Sequence, residues 1–343
     1  MRLGVLTAGG DCPGLNAAIR AVVRRASVTY GDDIIGFRHG WQGLVENDTL
    51  PLDVVTCRGT LPRGGTILAT SRLNPFKSAT GPERMSATIE SEHIDALIVI
   101  GGEGSLHIAR EVSDLGMPVI GIPKTIDNDV NATDSTIGFD TAVQIAVDAI
   151  DRLYTTSESH NRVIVCEVMG RQAGWIAVYA GLAGGAAVIL APEEPFDIEQ
   201  TCAHLVHRRA TGRIGSVIVI AEGAKPCAGT IVLPPPEMDH FDRERFGGIS
   251  AVVAREIEAR TGFESRVTIL GHLQRGGTPT AFDRLLATRF GVASVDAAHD
   301  GDFGSMVALH GQEIERVTLA AAIDELKHVP RDLIDRVAVI FTE

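Results

Sequence analysis

The densest chemistry in the chain is Pro123-Lys124-Thr125-Ile126-Asp127-Asn128-Asp129, which follows an apolar run and packs two carboxylates, an amide, a hydroxyl and an amine together. Carboxylates two residues apart repel unless cations or a metal share them, so a purely structural turn has little use for the set. Phosphoryl transfer does use it: one carboxylate takes the acceptor hydroxyl's proton, another sits near a metal, and a cation offsets phosphate charge. Two Gly-rich segments extend the theme. Gly9-Gly10-Asp11-Cys12-Pro13-Gly14 ends the first apolar run, with Asn16 placed to cap the helix that follows, and Gly101-Gly102-Glu103-Gly104-Ser105 ends another. Glycines let backbone N–H groups approach a phosphate at a helix N-terminus, where the dipole also favours an anion. Glu103 has two readings, a Mg²⁺ ligand against bound phosphates or an acid favoured by the helix dipole. The first turn has neither the Walker lysine nor the dinucleotide G-x-G-x-x-G spacing.

A further set is cationic: Arg162, then Met169-Gly170-Arg171, Arg266, and His272-Leu273-Gln274-Arg275, with Glu222 after another apolar run. Arginine forks suit phosphate oxygens bidentately, and a carboxylate such as Glu222 suits sugar hydroxyls. Taken singly, each Arg reads as a surface salt bridge and His272 as structural. In a chain of net charge -13, arginines recurring at successive strand ends read as a localised anion site.

Elements must position these groups. Apolar runs at residues 3–6, 96–100, 119–122, 163–166, 217–220 and 267–270 lack polar alternation, which implies strands covered on both faces. Between them Val143, Ala146, Val147, Ile150 and Leu153 share one helical face, and Ala18, Ile19, Val22 and Val23 another. The alternation predicts doubly wound α/β structure, which binds ligands where strands end. With 343 residues, 45% of them apolar, the chain is long enough for two domains. Its 31 Lys and Arg against 44 Asp and Glu disfavour nucleic acid and anionic membranes as partners. Five scattered cysteines without C-x-x-C spacing read as reduced thiols of a cytoplasmic protein, and no export signal pattern opens the chain. The uncharged stretch 172–192 is long enough to span a bilayer by count. Gly181, Gly184 and Gly185 instead divide it into a helix over 173–182, a turn and a strand over 187–190. Residues 225–246, with Pro234, Pro235 and Pro236, read as a surface excursion.

Taken in order, these segments resemble the 6-phosphofructokinases of the bacterial type. GGDCPGLNAAIR, RGGTILATSR, GGEGS, PKTIDND, DAIDRLYTTSESH, EVMGRQAG, AEG and LGHLQRGGTPTAFDR together span almost the whole chain. The resemblance implies an ATP- and Mg²⁺-dependent cytoplasmic enzyme that phosphorylates the 1-hydroxyl of fructose 6-phosphate. It implies α/β architecture in two doubly wound domains with largely parallel sheets flanked by helices. Residues 1–138 plus about 275–325 would take the donor, and 139–274 plus about 326–343 the sugar phosphate. Gly10, Arg72, Gly102, Glu103, Gly104 and Ser105 would line the donor nucleotide, with Glu103 at the Mg²⁺ position. Asp127 would be the general base, with Thr125, Asp129 and Arg171 as the other catalytic residues. Arg162, Arg266, His272 and Arg275 would hold the 6-phosphate, while Met169, Gly170, Arg171 and Glu222 would line the sugar beside Thr125 and Asp127. In such enzymes some of these arginines come from a neighbouring subunit, which implies a homotetramer or at least a homodimer. Arg20, Arg24 and Arg213 fall near positions used by effectors in relatives.

Two departures bear on the donor. The family's usual metal-site Asp is Glu103 here. Pyrophosphate-dependent relatives typically carry Asp and Lys where this chain has Gly104 and Lys124, and the common ATP enzymes carry Gly at both, so the chain is mixed. Gly104 leaves room for the α-phosphate and sugar of ATP, whereas Lys124, read as a flexible cation, suits either donor. ATP is therefore the expected donor and pyrophosphate the alternative. An NAD or lipid kinase would leave TIDND, MGR and LGHLQRGG unexplained. A non-catalytic sugar-phosphate sensor would be expected to have lost Asp127 or the metal carboxylate, and both are present.

Overall fold

The computed structural model describes residues 1–231, 237–238 and 244–338. The chain opens with β1 (Arg2–Ala8), α1 (Leu15–Arg25), β2 (Asp33–Phe37), α2 (Trp41–Glu46) and β3 (Thr49–Leu52). It continues through α3 (Gly81–Ser91), β4 (Ala96–Gly101), α4 (Glu103–Asp114), β5 (Val119–Pro123) and the long α5 (Phe139–His160). Then come β6 (Val163–Val168), α6 (Trp175–Ala183), β7 (Val188–Leu190), α7 (Ile198–Ala210), β8 (Ser216–Ala221), and the short β9 (Glu237–Met238) and β10 (Glu244–Arg245). The last elements are α8 (Ile249–Thr261), β11 (Ser265–Ile269), α9 (Ala281–His299), β12 (Ser305–His310), β13 (Glu313–Thr318), α10 (Leu319–Ile323) and α11 (Arg331–Ala338).

These elements divide into two compact units. The first comprises Met1–Thr141 and Arg275–Leu326, the second Ala142–Gln274 and Lys327–Glu343. The first holds a seven-stranded sheet in the order β13-β12-β5-β4-β1-β2-β3. Its inner pairings are parallel, and only β3 and β13 at the edges run antiparallel to their neighbours. The unbroken Val/Ile runs account for this, because a strand with no polar face must be covered on both sides. Every residue of β4 is buried. Helices α1 and α9 approach closely: a Cβ on Gly291 would lie 2.7 Å from the Ala18 carbonyl, so glycine there sets the spacing.

The second unit holds an all-parallel sheet ordered β11-β6-β8-β7. Both units are thus doubly wound α/β with largely parallel sheets. The run at 267–270 departs from expectation, since β11 is an edge strand and leaves Val267 37% and Ile269 53% exposed. Residues 172–192 resolve into α6, a Gly-Gly turn and β7, and no described helix is long and apolar enough to cross a membrane. Pro234, Pro235 and Pro236 lie outside the described residues.

Asn16 is not the cap of α1. Gly14, at φ 106°, takes that position, and Asn16 is buried inside the first turn. Its amide donates to the carbonyls of Arg63 and Gly64 and accepts from the Ile67 N–H, so it ties α1 to the long loop before Arg72.

Candidate active site

In the first unit three post-strand segments meet. After β1, Gly9 at φ 85° turns the chain, its N–H donating to the Ser71 carbonyl and its own carbonyl accepting from Thr70. This holds the Gly turn to the loop that carries the exposed Arg72. After β4, Gly102 caps α4, with Glu103 in the first turn, Ser105 buried and Gly104 exposed. A Cβ on Gly102 would sit 3.3 Å from the Lys124 carbonyl and 3.6 Å from the Thr125 Cβ, so α4 starts directly against the post-β5 loop. A Cβ on Gly104 would meet nothing within 4 Å. The Glu103 carboxylate, 40% exposed, lies 2.8 Å from the His107 imidazole one helical turn on.

The post-β5 loop is tightly organised. Thr125 accepts through its hydroxyl from the Asp127 N–H at 3.1 Å, and its carbonyl accepts from Thr136. Asn128 adopts φ 52°, accepts from the Thr136 N–H and donates to the Asp134 carbonyl. Asp127 is 4% exposed, while Asp129 is half-buried.

Lys124 differs from the flexible cation expected. It is 2% exposed, and its ammonium donates to the carbonyls of Ala8 at 3.0 Å and Gly10 at 2.5 Å. Burial pulls its pKa below the ordinary lysine value. Its charge thus shapes the Gly turn from beneath. From the other side Arg275 donates to the Asp11 carbonyl at 3.3 Å, and a Cβ on Gly10 would fall 2.5 Å from its Nη1.

In the second unit, Met169, Gly170 and Arg171 leave β6 in a loop with two positive φ values, 139° at Gly170 and 52° at Arg171. The Arg171 N–H donates to Glu222 Oε1 at 3.1 Å, so one oxygen of the carboxylate thought suited to sugar hydroxyls is already engaged. The Arg171 carbonyl packs so close to Gly223 that a Cβ there would come within 1.8 Å. The Arg171 side chain and His272 are both exposed.

Arg162 and Arg266 form a separate cluster. Both guanidinium groups grip Oε1 of Glu264, Arg162 at 2.9 Å, and the Arg162 hydrogen bond leads in holding that carboxyl below its usual range. Register explains the meeting, because Arg266 of β11 pairs with Ile164 of β6, two residues beyond Arg162. Arg162 precedes β6 and Arg171 follows it. Six strand residues at ~3.3 Å each span about 20 Å, so the chain keeps these two arginines at opposite ends of one strand.

Three buried groups near these segments carried weak signals in the sequence. Asp283 is fully buried and accepts from the N–H groups of Gly138 and Thr141 and from the Thr141 hydroxyl. Burial pushes its pKa up to about 6 despite those bonds. In sequence it passes for an acid in the first turn of a helix capped by Thr280. Glu167 is 2% exposed and accepts from Gly248 N–H and from the N–H and hydroxyl of Ser250, closing the start of α8. A carboxylate inside an apolar strand was the available clue, since it must find donors when buried. Gln274 accepts from the Met169 N–H at 2.9 Å.

Fold and segments together define an α/β protein with Gly-rich turns after the parallel strands of its first unit. The phosphofructokinase family profile matches residues 2–298, and the chain belongs to the phosphofructokinase family. It is 55% identical over 343 residues to a pyrophosphate–fructose 6-phosphate 1-phosphotransferase of Streptomyces coelicolor, covering 99% of this chain and 100% of that one. It is 54% identical over 330 residues to ATP-dependent 6-phosphofructokinase 3 of the same organism, covering 96% and 97%. A solved phosphofructokinase of Saccharomyces cerevisiae superposes with a TM-score of 0.82 at 32% identity, over 94% of this chain and 45% of the yeast chain. This chain therefore spans less than half of that yeast polypeptide.

Proposed function

We propose that the chain is a 6-phosphofructokinase that moves the γ-phosphoryl group of ATP to the 1-hydroxyl of fructose 6-phosphate in the cytoplasm. The observation that carries the reaction is the post-β5 loop, where buried Asp127 donates its backbone N–H to the Thr125 hydroxyl beside the start of α4. Asp127 takes the proton of the 1-hydroxyl as its oxygen attacks the terminal phosphorus. Thr125 fixes the backbone of the base, and Asp129 would add negative charge toward a bound metal ion. Arg171 steadies the charge of the transferring group. Gly10, Arg72, Gly102 and Ser105 receive the donor, with backbone approach at the two Gly turns.

Mg²⁺ suits this donor set. No three metal-ligating side chains cluster among the described residues, and Mg²⁺ is commonly held by one or two carboxylates together with substrate phosphates. Glu103 supplies such a carboxylate at the exposed start of α4. The ion, when bound with the donor, offsets phosphate charge.

ATP as donor rests on Gly104, whose missing side chain opens onto free space at the head of α4. Pyrophosphate is the second reading. It is favoured by the buried Lys124 ammonium beneath the Gly turn and by relatives of nearly equal identity named for each donor. Initial velocities with fructose 6-phosphate and Mg²⁺, offering each donor in parallel, test both. Product with ATP alone supports the first reading, product with pyrophosphate alone the second, and none with either refutes both.

The sugar phosphate is held, in this reading, by Met169, Gly170, Arg171 and Glu222 of one subunit and by Arg162 and Arg266 of another. His272 and Arg275 complete the set. The 20 Å strand between the two arginine groups supports a homotetramer, or at least a homodimer, with shared sites. A fully active monomer in a sizing column would refute it.

A further inference from the structure

Gln274 is fully buried, yet only half of its amide is used. Its Oε1 accepts from the Met169 N–H, while its Nε2 is buried with no hydrogen-bond partner among the described residues. Leaving an amide donor unmet in the interior is costly, and native proteins do so rarely. An isosteric glutamate would accept more strongly, but it would also carry a charge into the interior, which is costly unless paired.

What glutamate would add is charge. The backbone that Gln274 holds is the start of the Met169-Gly170-Arg171 loop, where Gly170 turns at φ 139° and Arg171 takes φ 52°, a conformation that a non-glycine residue keeps only when neighbours impose it. Three neighbours do so here. Gln274 fixes the N–H before the turn, Glu222 fixes the Arg171 N–H, and Gly223 admits the Arg171 carbonyl. Glu222 already brings one negative charge to the loop, and a second would oppose an anionic ligand.

We infer that Gln274 is a positioning residue for the sugar phosphate: its neutral carbonyl oxygen sets the Met169-Gly170-Arg171 loop without adding negative charge beside a phosphate ester. The inference rests on the reading of this loop as part of a sugar-phosphate site. The orphaned Nε2 is the cost of that neutrality.

Two substitutions separate holding from charge. Gln274→Leu keeps the volume and removes the acceptor, so the loop loses one constraint and kcat should fall about 10- to 100-fold. Gln274→Glu keeps the acceptor and adds charge, so kcat should stay near wild type while the KM for fructose 6-phosphate rises about tenfold. The donor KM should move in neither. Thermal melts and titration calorimetry with fructose 6-phosphate accompany the kinetics, and the isosteric Gln274→Glu covers the case in which Gln274→Leu fails to fold. Lower melting temperatures with unchanged KM, kcat and sugar-phosphate affinity in both variants would make Gln274 merely structural and overturn the inference. An unchanged KM in Gln274→Glu would overturn the charge argument. A wild-type chain that neither binds fructose 6-phosphate nor turns it over would remove the underlying functional reading, and the inference with it. An active wild type with unaffected variants would remove only the assignment of Gln274.

Discussion

The two units organise their chemistry in opposite ways. In the first, the groups around the Gly turns are buried and tied to backbone: Lys124 by two carbonyls, Asp127 through Thr125, Asn128 by Thr136 and Asp134. In the second, the arginines are exposed or half-exposed, and two of them share one carboxylate at the edge of a sheet. A centre that must stabilise a transition state gains from fixed dipoles, which cost no reorganisation at the moment of reaction. A clamp for a phosphate ester gains from long cationic side chains that can exchange a carboxylate for a phosphate.

The contrast can be broken most sharply at Asp127. Asp127→Ser should lower kcat about 10²- to 10⁴-fold with little change in the KM for fructose 6-phosphate, as steady-state kinetics would show. An almost unaffected kcat would place the base elsewhere.

Arg162→Ser and Arg171→Ser probe the opposite ends of β6. Each should raise the KM for fructose 6-phosphate at least tenfold, the loss expected for one charge-assisted bond. Mixing the two variants after dissociation and reassociation should restore part of the activity, because some shared sites would then carry neither change. No recovery in the mixture would mean that both arginines act within one chain.

Gly104→Asp tests the donor side. Its new Cβ meets nothing, so the melting temperature should hold while kcat/KM for ATP falls at least tenfold from added bulk and charge. Activity with pyrophosphate should fall less. Equal losses with both donors would detach Gly104 from donor choice.

The smallest effect concerns Asp283. Its folded pKa, about 6, stands above the ordinary carboxyl value of 3.8, so the folded state binds the extra proton between those values. Stability from this group is therefore fully present below about pH 4 and lost as pH rises through about 6. Replacing it with Asn should flatten that dependence, read as the melting temperature of each protein from pH 4 to 7. An identical slope in the two proteins would show that Asp283 stays ionised throughout.

Legibility followed burial. The apolar runs that became β1, β4, β5, β6 and β8 declared themselves because a strand covered on both faces has one composition. β13 did not: Glu313, Glu315 and Arg316 fill it, since an edge strand facing water is free to look like a loop. β11 misled in the reverse sense, its apolar run lying on an edge. The post-strand loops stood out in sequence because a structural turn has little use for their composition. Their supports were not, because a buried Asp283 or Gln274 looks in sequence like any polar residue at the start of a helix or in a turn. The burial of Lys124 is hidden for the same reason: nothing local to it reveals that its partners are Ala8 and Gly10, more than a hundred residues away.

The exposed edge of β11 reaches beyond catalysis. With one strand neighbour among the described residues and with Val267 and Ile269 facing solvent, this strand presents an edge that another chain could pair with. Pairing of two such edges is a route to aggregates. The survival of the protein in solution would then depend on this edge as well as on its site.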